Sequence, residues 1–223
     1  MSHTPEPERV CAAAALSSYW YKGASETHPV LSEKEIDDIL SKVLGYGHVS
    51  VIEHASFTFS VEGVSRACTH QLVRHRMASY TQQSQRYVRM EGFDPVVPGT
   101  IRKNERAREV YSRAMEAMAS AYDELVGMGI PNEDARFVLP NAATTNIIVT
   151  MNARELRHFF KFRCCARAQW EIREAAQRML ELASAAAPKL FKNAGPSCIS
   201  EGYCPEGELS CGRISRVNDD GTR

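Results

Sequence analysis

No aspartate or glutamate occurs between Glu62 and Glu91, although the same span carries Arg66, Arg74, Arg76, Arg86 and Arg89 together with His70 and His75. Five fixed cations without a local counter-charge repel one another, so the stretch is suited to an anion supplied from elsewhere. A second acid-poor stretch runs from Arg136 to Trp170, where Arg136, Arg154, Arg157, Lys161, Arg163 and Arg167 face a single acid, Glu155. The scarcity of carboxylates here argues against a metal-dependent nucleotide hydrolase, which needs them as ligands. Net charge is also missing: Lys+Arg and Asp+Glu are both 27, so the whole chain exerts no pull toward nucleic acid or an anionic membrane. There is no secretory signal and no apolar run of roughly eighteen residues, which points to a reducing cytoplasm and no membrane span. GxGxxG, GxxxxGK[ST], CxxC and HExxH are all absent, which makes a Rossmann architecture a poor first choice and gives no reason to expect a metal. Repeats and low-complexity blocks are absent too.

What is present is ordinary in bulk and unusual in detail. The 223 residues are 43% hydrophobic and 24% charged, as expected for one domain over residues 1–223 with a sizeable core. Of the 27 cations 20 are arginine, whose planar fork suits bidentate phosphate or carboxylate binding better than an ammonium does. The seven cysteines are an odd set, and Cys68, Cys164 and Cys165 fall inside apparent helices, so buried or idle thiols are expected. Cys198, Cys204 and Cys211 are spaced x5 and x6, poor spacing for zinc.

Periodicity indicates an α+β class, with helices flanking a mainly antiparallel sheet. A first helix is expected within residues 8–21. Ser32 with Glu35 makes a capping box ahead of Ile36, Ile39, Leu40, Val43 and Leu44 at helical spacing. Phe57, Phe59 and Val61 alternate as in a half-buried strand ended by Gly63, and a short helix follows to about Arg76. Residues 84–89 alternate again, placing Ser84 and Arg86 on one face of an expected strand. A long helix is expected from about Lys103 to Val126, with Asn132 capping a short turn through Ala135. Residues 147–151 look like a buried strand, Asn152 with Glu155 starts another helix, and a last helix runs from near Arg167 to Ala187. Residues 193–223 are expected to form an irregular C-terminal tail, disordered or packed.

The helix after Asn152 carries the sharpest statement. At about 100° per residue Arg163 lies within about 20° of Leu156 and between Phe159 and Phe160, in the middle of an apolar stripe. Leaving such a cation unpaired costs roughly 3–5 kcal/mol, so a carboxylate or a ligand should meet it. Gln71 and Arg74, three apart on an expected helix, can read one planar group together, whereas Ser84 and Arg86, two apart on an expected strand, present a hydroxyl beside a fork, as suits a phosphate. Two readings from other classes stay open. A single-stranded nucleic-acid-binding module would use the same basic stretches beside Tyr80 and Tyr87, and a non-flavin nucleotide hydrolase would need the carboxylates that are scarce here.

Arg74-His75-Arg76, seven residues, then Ser84 and Arg86 resembles the signature of the flavin-dependent thymidylate synthases. GHVSVIEH (47–54), ARFVLP (135–140), NARELRHFFKFR (152–163) and AQWEIR (168–173) resemble further blocks of that family in the right order, over about residues 45–175. The resemblance implies an antiparallel sheet with flanking helices in a homotetramer with shared active sites. It also implies reductive methylation of deoxyuridine monophosphate (dUMP) to thymidine monophosphate (dTMP), with methylenetetrahydrofolate as carbon donor, NADPH as reductant and FAD as cofactor. By the same resemblance Ser50, Arg74, His75, Arg76, Gln82, Asn152, Arg154 and His158 correspond to flavin contacts, and His48 lies where the family positions flavin or folate. Gln71, Arg74, Gln82, Ser84, Arg86, Arg136 and Arg163 correspond to dUMP contacts, although Gln82 stands where the family more commonly has glutamate. Arg163 is then the expected catalytic residue: a fixed cation against the N3 and O4 edge of uracil stabilises the anionic ring, and no covalent enzyme nucleophile is required. Ser84, and Cys164 or Cys165, are the competing nucleophiles, and the Pro-Cys-His motif of the unrelated folate-only enzymes is absent.

Overall fold

The computed structural model describes residues 1–90 and 92–214. In chain order the elements are β1 (Ser2–His3), α1 (Pro7–Ser17), α2 (Ala24–Thr27), α3 (Glu33–Gly45), β2 (Ser56–Ser65), α4 (Arg66–Leu72), β3 (Ala78–Gln82), α5 (Gly99–Arg102), α6 (Glu105–Gly127), α7 (Asn132–Ala135), β4 (Thr144–Asn152), α8 (Ala153–Arg163), α9 (Trp170–Ala186) and α10 (Ser197–Ser200). Short 3-10 turns include Val49–His54 and Arg136–Val138. The class is α+β and not Rossmann: four antiparallel strands lie in the order β1-β2-β4-β3, with Ser2 opposite Thr58 and His3 opposite Phe57 at the β1 edge. Two compact units divide the chain. One comprises residues 1–59, 75–79 and 149–223, the other residues 60–74 and 80–148.

The first unit holds most of the aromatic core. Phe57 packs edge-on to Phe191 at 5.2 Å between ring centroids, and Phe160 meets the same ring at 5.9 Å. Fully burying each such side chain contributes roughly 1.5–3 kcal/mol. Around them α1 packs on α3, and α8 on α9. The α3 capping box forms as the sequence implies, with Glu35 N donating to Ser32 Oγ (3.3 Å) and Ser32 N donating to Glu35 Oε2 (2.8 Å). α8 starts at its expected cap, where Asn152 Oδ1 accepts from Glu155 N at 2.9 Å. The tail is ordered into α10 and a 3-10 turn, and Lys161 Nζ on α8 donates to Glu201 at 2.6 Å. Residues 215–223 of the expected tail lie outside the described residues.

In the second unit α4 carries Cys68, Thr69 and Leu72 into the core, and Tyr122 is the buried residue of the long helix α6. Asn104 caps α6 through Ala107 N at 3.0 Å. Three local expectations are corrected here. Gly63 does not end β2, which runs on to Ser65. Gly63 has φ +68, and its N–H donates to the side chain of Asn146 at 3.0 Å, so a side chain takes over where the backbone bends. Asn132 is not a cap but the first residue of α7, after Pro131. β4 is buried on alternate residues, not throughout, and Ile148 is 48% exposed.

The stretch around the arginine signature is corrected as well. α4 stops at Leu72, so Arg74, His75 and Arg76 are not helical: Arg74 is in the turn that follows and the next two residues lie in neither helix nor strand. A residue of the next strand closes this end, because the Tyr80 hydroxyl donates to the Leu72 carbonyl at 2.9 Å. Ser84 and Arg86 are not on a strand either. β3 ends at Gln82, and a turn follows in which Arg86 N donates to Ser84 Oγ (3.2 Å) and Val88 N to the Ser84 carbonyl (2.9 Å). A serine hydroxyl bonding the backbone two residues on favours a turn over a ladder.

Candidate functional site

The first unit brings two of the sequence motifs together. Arg163, at the last turn of α8, donates from Nε to Nε2 of His75 at 3.0 Å. His75 is 7% exposed, edge-on to Phe159 with 4.9 Å between centroids, and its Nδ1 lies 3.5 Å from Glu155 Oε1. Burial, then the charges of Arg163 and His158, push its pKa down to about 4. The ring is therefore neutral at physiological pH, and the contact with Glu155 is not an ion pair. Because Nε2 accepts from Arg163, the ring proton sits on Nδ1, facing the carboxylate. Glu155 is itself raised by burial, against a lowering effect of His158.

An open cleft of about 340 Å³ adjoins this pair, lined by Glu53, Met77, Asn152, Arg154, Glu155 and His158. α8 supplies four of these residues from its cap and first two turns, while the 3-10 turn of the GHVSVIEH block supplies Glu53, which pairs with Arg154. His48 and Ser50 are exposed at the start of that turn, with the His48 ring 6.2 Å from Tyr46. Arg76 is exposed next to His75. The ligand atoms of His75, Glu155 and His158 lie within 4.8 Å of one another. A metal on His75 Nδ1 would shift the ring proton to Nε2, where Arg163 already places an N–H, so this donor set suits a hydrogen-bonding ligand better than a cation.

Not every cation of the second basic stretch faces a site. Arg157 donates to the carbonyls of Leu190 (2.8 Å) and Lys192 (3.2 Å), which is a structural anchor. Cys164 is buried, and burial raises its thiol to about 12, leaving essentially no thiolate near neutral pH. Cys165, Cys198, Cys204 and Cys211 line a small pocket of about 40 Å³ between the end of α8 and the tail.

The second unit gathers most of the expected dUMP contacts. Gln71 lies in the last turn of α4, and Arg74 N donates to its carbonyl at 3.3 Å. Arg86 donates to Glu133 Oε2 from Nε (2.9 Å) and from Nη2 (2.8 Å), both partners being about half exposed. Arg136 donates from Nε to the Glu133 carbonyl at 3.1 Å. Gln82 Nε2 donates to the hydroxyls of Thr69 (2.9 Å) and Thr145 (3.4 Å), and the Thr69 hydroxyl donates to the Arg66 carbonyl at 3.0 Å. Sequence reasoning places none of Glu53, Glu155 and Glu133 in a site. The first two lie inside the quoted motif blocks and carry a signal, whereas Glu133 lies outside them.

These observations define a class: an α+β protein, not of the Rossmann type, in which arginine side chains and not a glycine-rich loop are the groups available to an anion. The comparisons with known proteins narrow it. Residues 1–189 match the family described as "Thymidylate synthase complementing protein". The chain is 56% identical over 219 residues to a flavin-dependent thymidylate synthase of Geobacter sulfurreducens, an alignment covering 97% of this chain and 94% of that protein. Proteins of the same name from Clostridium tetani (47% identity; 97% and 93% covered) and Pyrococcus furiosus (48%; 94% and 89%) are similar along their lengths too. The chain belongs to the flavin-dependent thymidylate synthase family.

Proposed function

We propose that this protein makes dTMP from dUMP by reductive methylation, as a single catalytic domain in a homotetramer with shared active sites. Methylenetetrahydrofolate donates the carbon, NADPH is the reductant, FAD is the cofactor, and no enzyme nucleophile is used. Family membership supports the reaction. The carrying observation for the mechanism is the Arg163–His75 hydrogen bond, which joins the arginine signature to the NARELRHFFKFR block. A neutral imidazole orients the guanidinium without cancelling its charge. In this reading Arg163 lies against N3 and O4 of uracil and stabilises the ring as electron density moves to C5.

Gln71, Arg74, Ser84, Arg86 and Arg136 hold the nucleotide, with Arg86 exchanging its exposed pairing to Glu133 for the phosphate. Sets of residues from different copies can serve one ligand in the proposed tetramer. The 23-residue α6 supports assembly, since its apolar Val110 is 53% exposed and Met118 is exposed as well. The cleft beside Asn152 fits a flavin in chemical character: Asn152, Arg154 and His158 offer polar contacts to a ring edge or pyrophosphate, and Met77 offers an apolar one. When bound, the flavin supplies the hydride that reduces the transferred methylene to methyl. Among the described residues no helix is long and apolar enough to cross a membrane, and all seven cysteines are free, which supports the cytoplasm as its place.

Anaerobic turnover with dUMP, methylenetetrahydrofolate and NADPH, followed as dTMP, tests the reading. The holoprotein should be yellow and bleach with NADPH, and omission of FAD from apoprotein should abolish product. Arg163→Ala or Lys should lose nearly all methyl formation with FAD still bound; full activity in those variants would remove Arg163 from the mechanism.

A further inference from the structure

Arg66 follows the Ser65 cap as the first residue of α4, and its backbone N–H donates to the Ala143 carbonyl at 3.1 Å. Its guanidinium reaches the turn that carries two expected phosphate contacts: Nη2 donates to the Gln83 carbonyl at 3.2 Å, directly before Ser84. The Nε atom is buried away from water and has no hydrogen-bond partner. A buried charged donor left unmade is costly, and native structures keep such groups where a further partner completes them. Burial, and next the charge of Arg136, hold the Arg66 pKa below its ordinary value, so the neighbour felt most strongly is another cation. Two guanidiniums that disfavour each other, one with an unmet donor, are stabilised together by an anion of high charge density.

We propose that Arg66 is a further arginine of the nucleotide site, where with Arg136 it takes the phosphate dianion of a nucleoside monophosphate and through Gln83 it sets the Ser84–Arg86 turn. This rests on the reading of dUMP as substrate. Arg66 is not among the contacts that the family resemblance implies, and lysine cannot replace it fully, since a single ammonium cannot span a carbonyl and a phosphate as a fork does.

Full-length holoprotein is titrated with dUMP, with deoxyuridine, which lacks the phosphate, and with FAD after its removal, in wild type, Arg66→Gln and Arg66→Lys. Arg66→Gln should weaken dUMP about tenfold or more while deoxyuridine and FAD stay within about twofold, and Arg66→Lys should recover part of the dUMP affinity. Unchanged dUMP binding in folded Arg66→Gln would overturn the inference, and so would equal loss of dUMP and deoxyuridine, the mark of a merely structural role. If Arg66→Gln does not fold, Arg66→Lys decides: selective weakening of dUMP supports the role, and parallel or no weakening overturns it. If weakening falls on FAD instead of dUMP, the anion is the flavin pyrophosphate and the inference fails as stated. A wild type that binds neither dUMP nor FAD overturns the functional reading itself, an outcome distinct from any behaviour of the Arg66 variants.

Discussion

Glu133→Gln tests the proposed competition between an internal carboxylate and the substrate phosphate. Glu133 places one oxygen against both Nε and Nη2 of Arg86, at 2.9 and 2.8 Å, with the two side chains 51% and 48% exposed. A pair that open to water contributes about 0–1 kcal/mol, most of which dUMP must replace on binding. The amide keeps the shape and leaves the carbonyl that holds Arg136 untouched, but it removes the competing charge. Binding of dUMP should therefore tighten by up to about fivefold, since each 1.4 kcal/mol is about tenfold in affinity. Calorimetric titration of dUMP into the holoprotein reads this directly, and the gap between variant and wild type should narrow as added salt screens the exposed charges. Equal or weaker binding by the variant at low salt would show that Glu133 does not hold Arg86 back, and the exchange of partners proposed for Arg86 would fall.

Three further outcomes are expected. The pKa of His75 is near 4 in the folded protein against an ordinary 6.5, so the unfolded chain takes up the proton first. Stability should be unaffected by this group above about pH 6.5 and should fall as pH drops toward about 4, by up to ~3 kcal/mol; urea unfolding at several pH values should show His75→Asn to be flatter over that window. Gln82→Glu should destabilise by about 1–3 kcal/mol, because Thr69 already gives its hydroxyl proton to Arg66 and a carboxylate brings an acceptor where an N–H is needed; an unchanged melting temperature would contradict that network. The double variant Cys164→Ala, Cys165→Ala should keep substantial turnover, and inactivity with the fold intact would revive a thiol route.

The elements legible in the sequence are those with local causes. The Ser32–Glu35 box and the Asn152 cap each place a polar group three residues from its partner, and both helices start there. The position of Arg163 in an apolar stripe was likewise a matter of helical angle, and Leu156, Phe159 and Phe160 are all fully buried. Its partner was not legible. At Nε it is met by the neutral His75 from 88 positions earlier. The RHR segment and the turn after Gln82 depart from their sequence periodicity for a related reason. Tyr80 closes α4 from another element, and the alternation over 84–89 arises from a serine-stabilised turn that mimics a strand in period. In the second unit the acid that pairs with Arg86, Glu133, lies outside every recognisable motif.

The cap of α8 sets a direction for the chemistry beside it. With one lone pair of its oxygen given to the Glu155 amide, Asn152 keeps both hydrogens of its side-chain amide for the neighbouring cleft, where they favour a group that offers lone pairs. An aspartate would start the helix equally well and yet bring negative charge to the cleft, so the choice between two nearly isosteric residues sets the polarity of that wall.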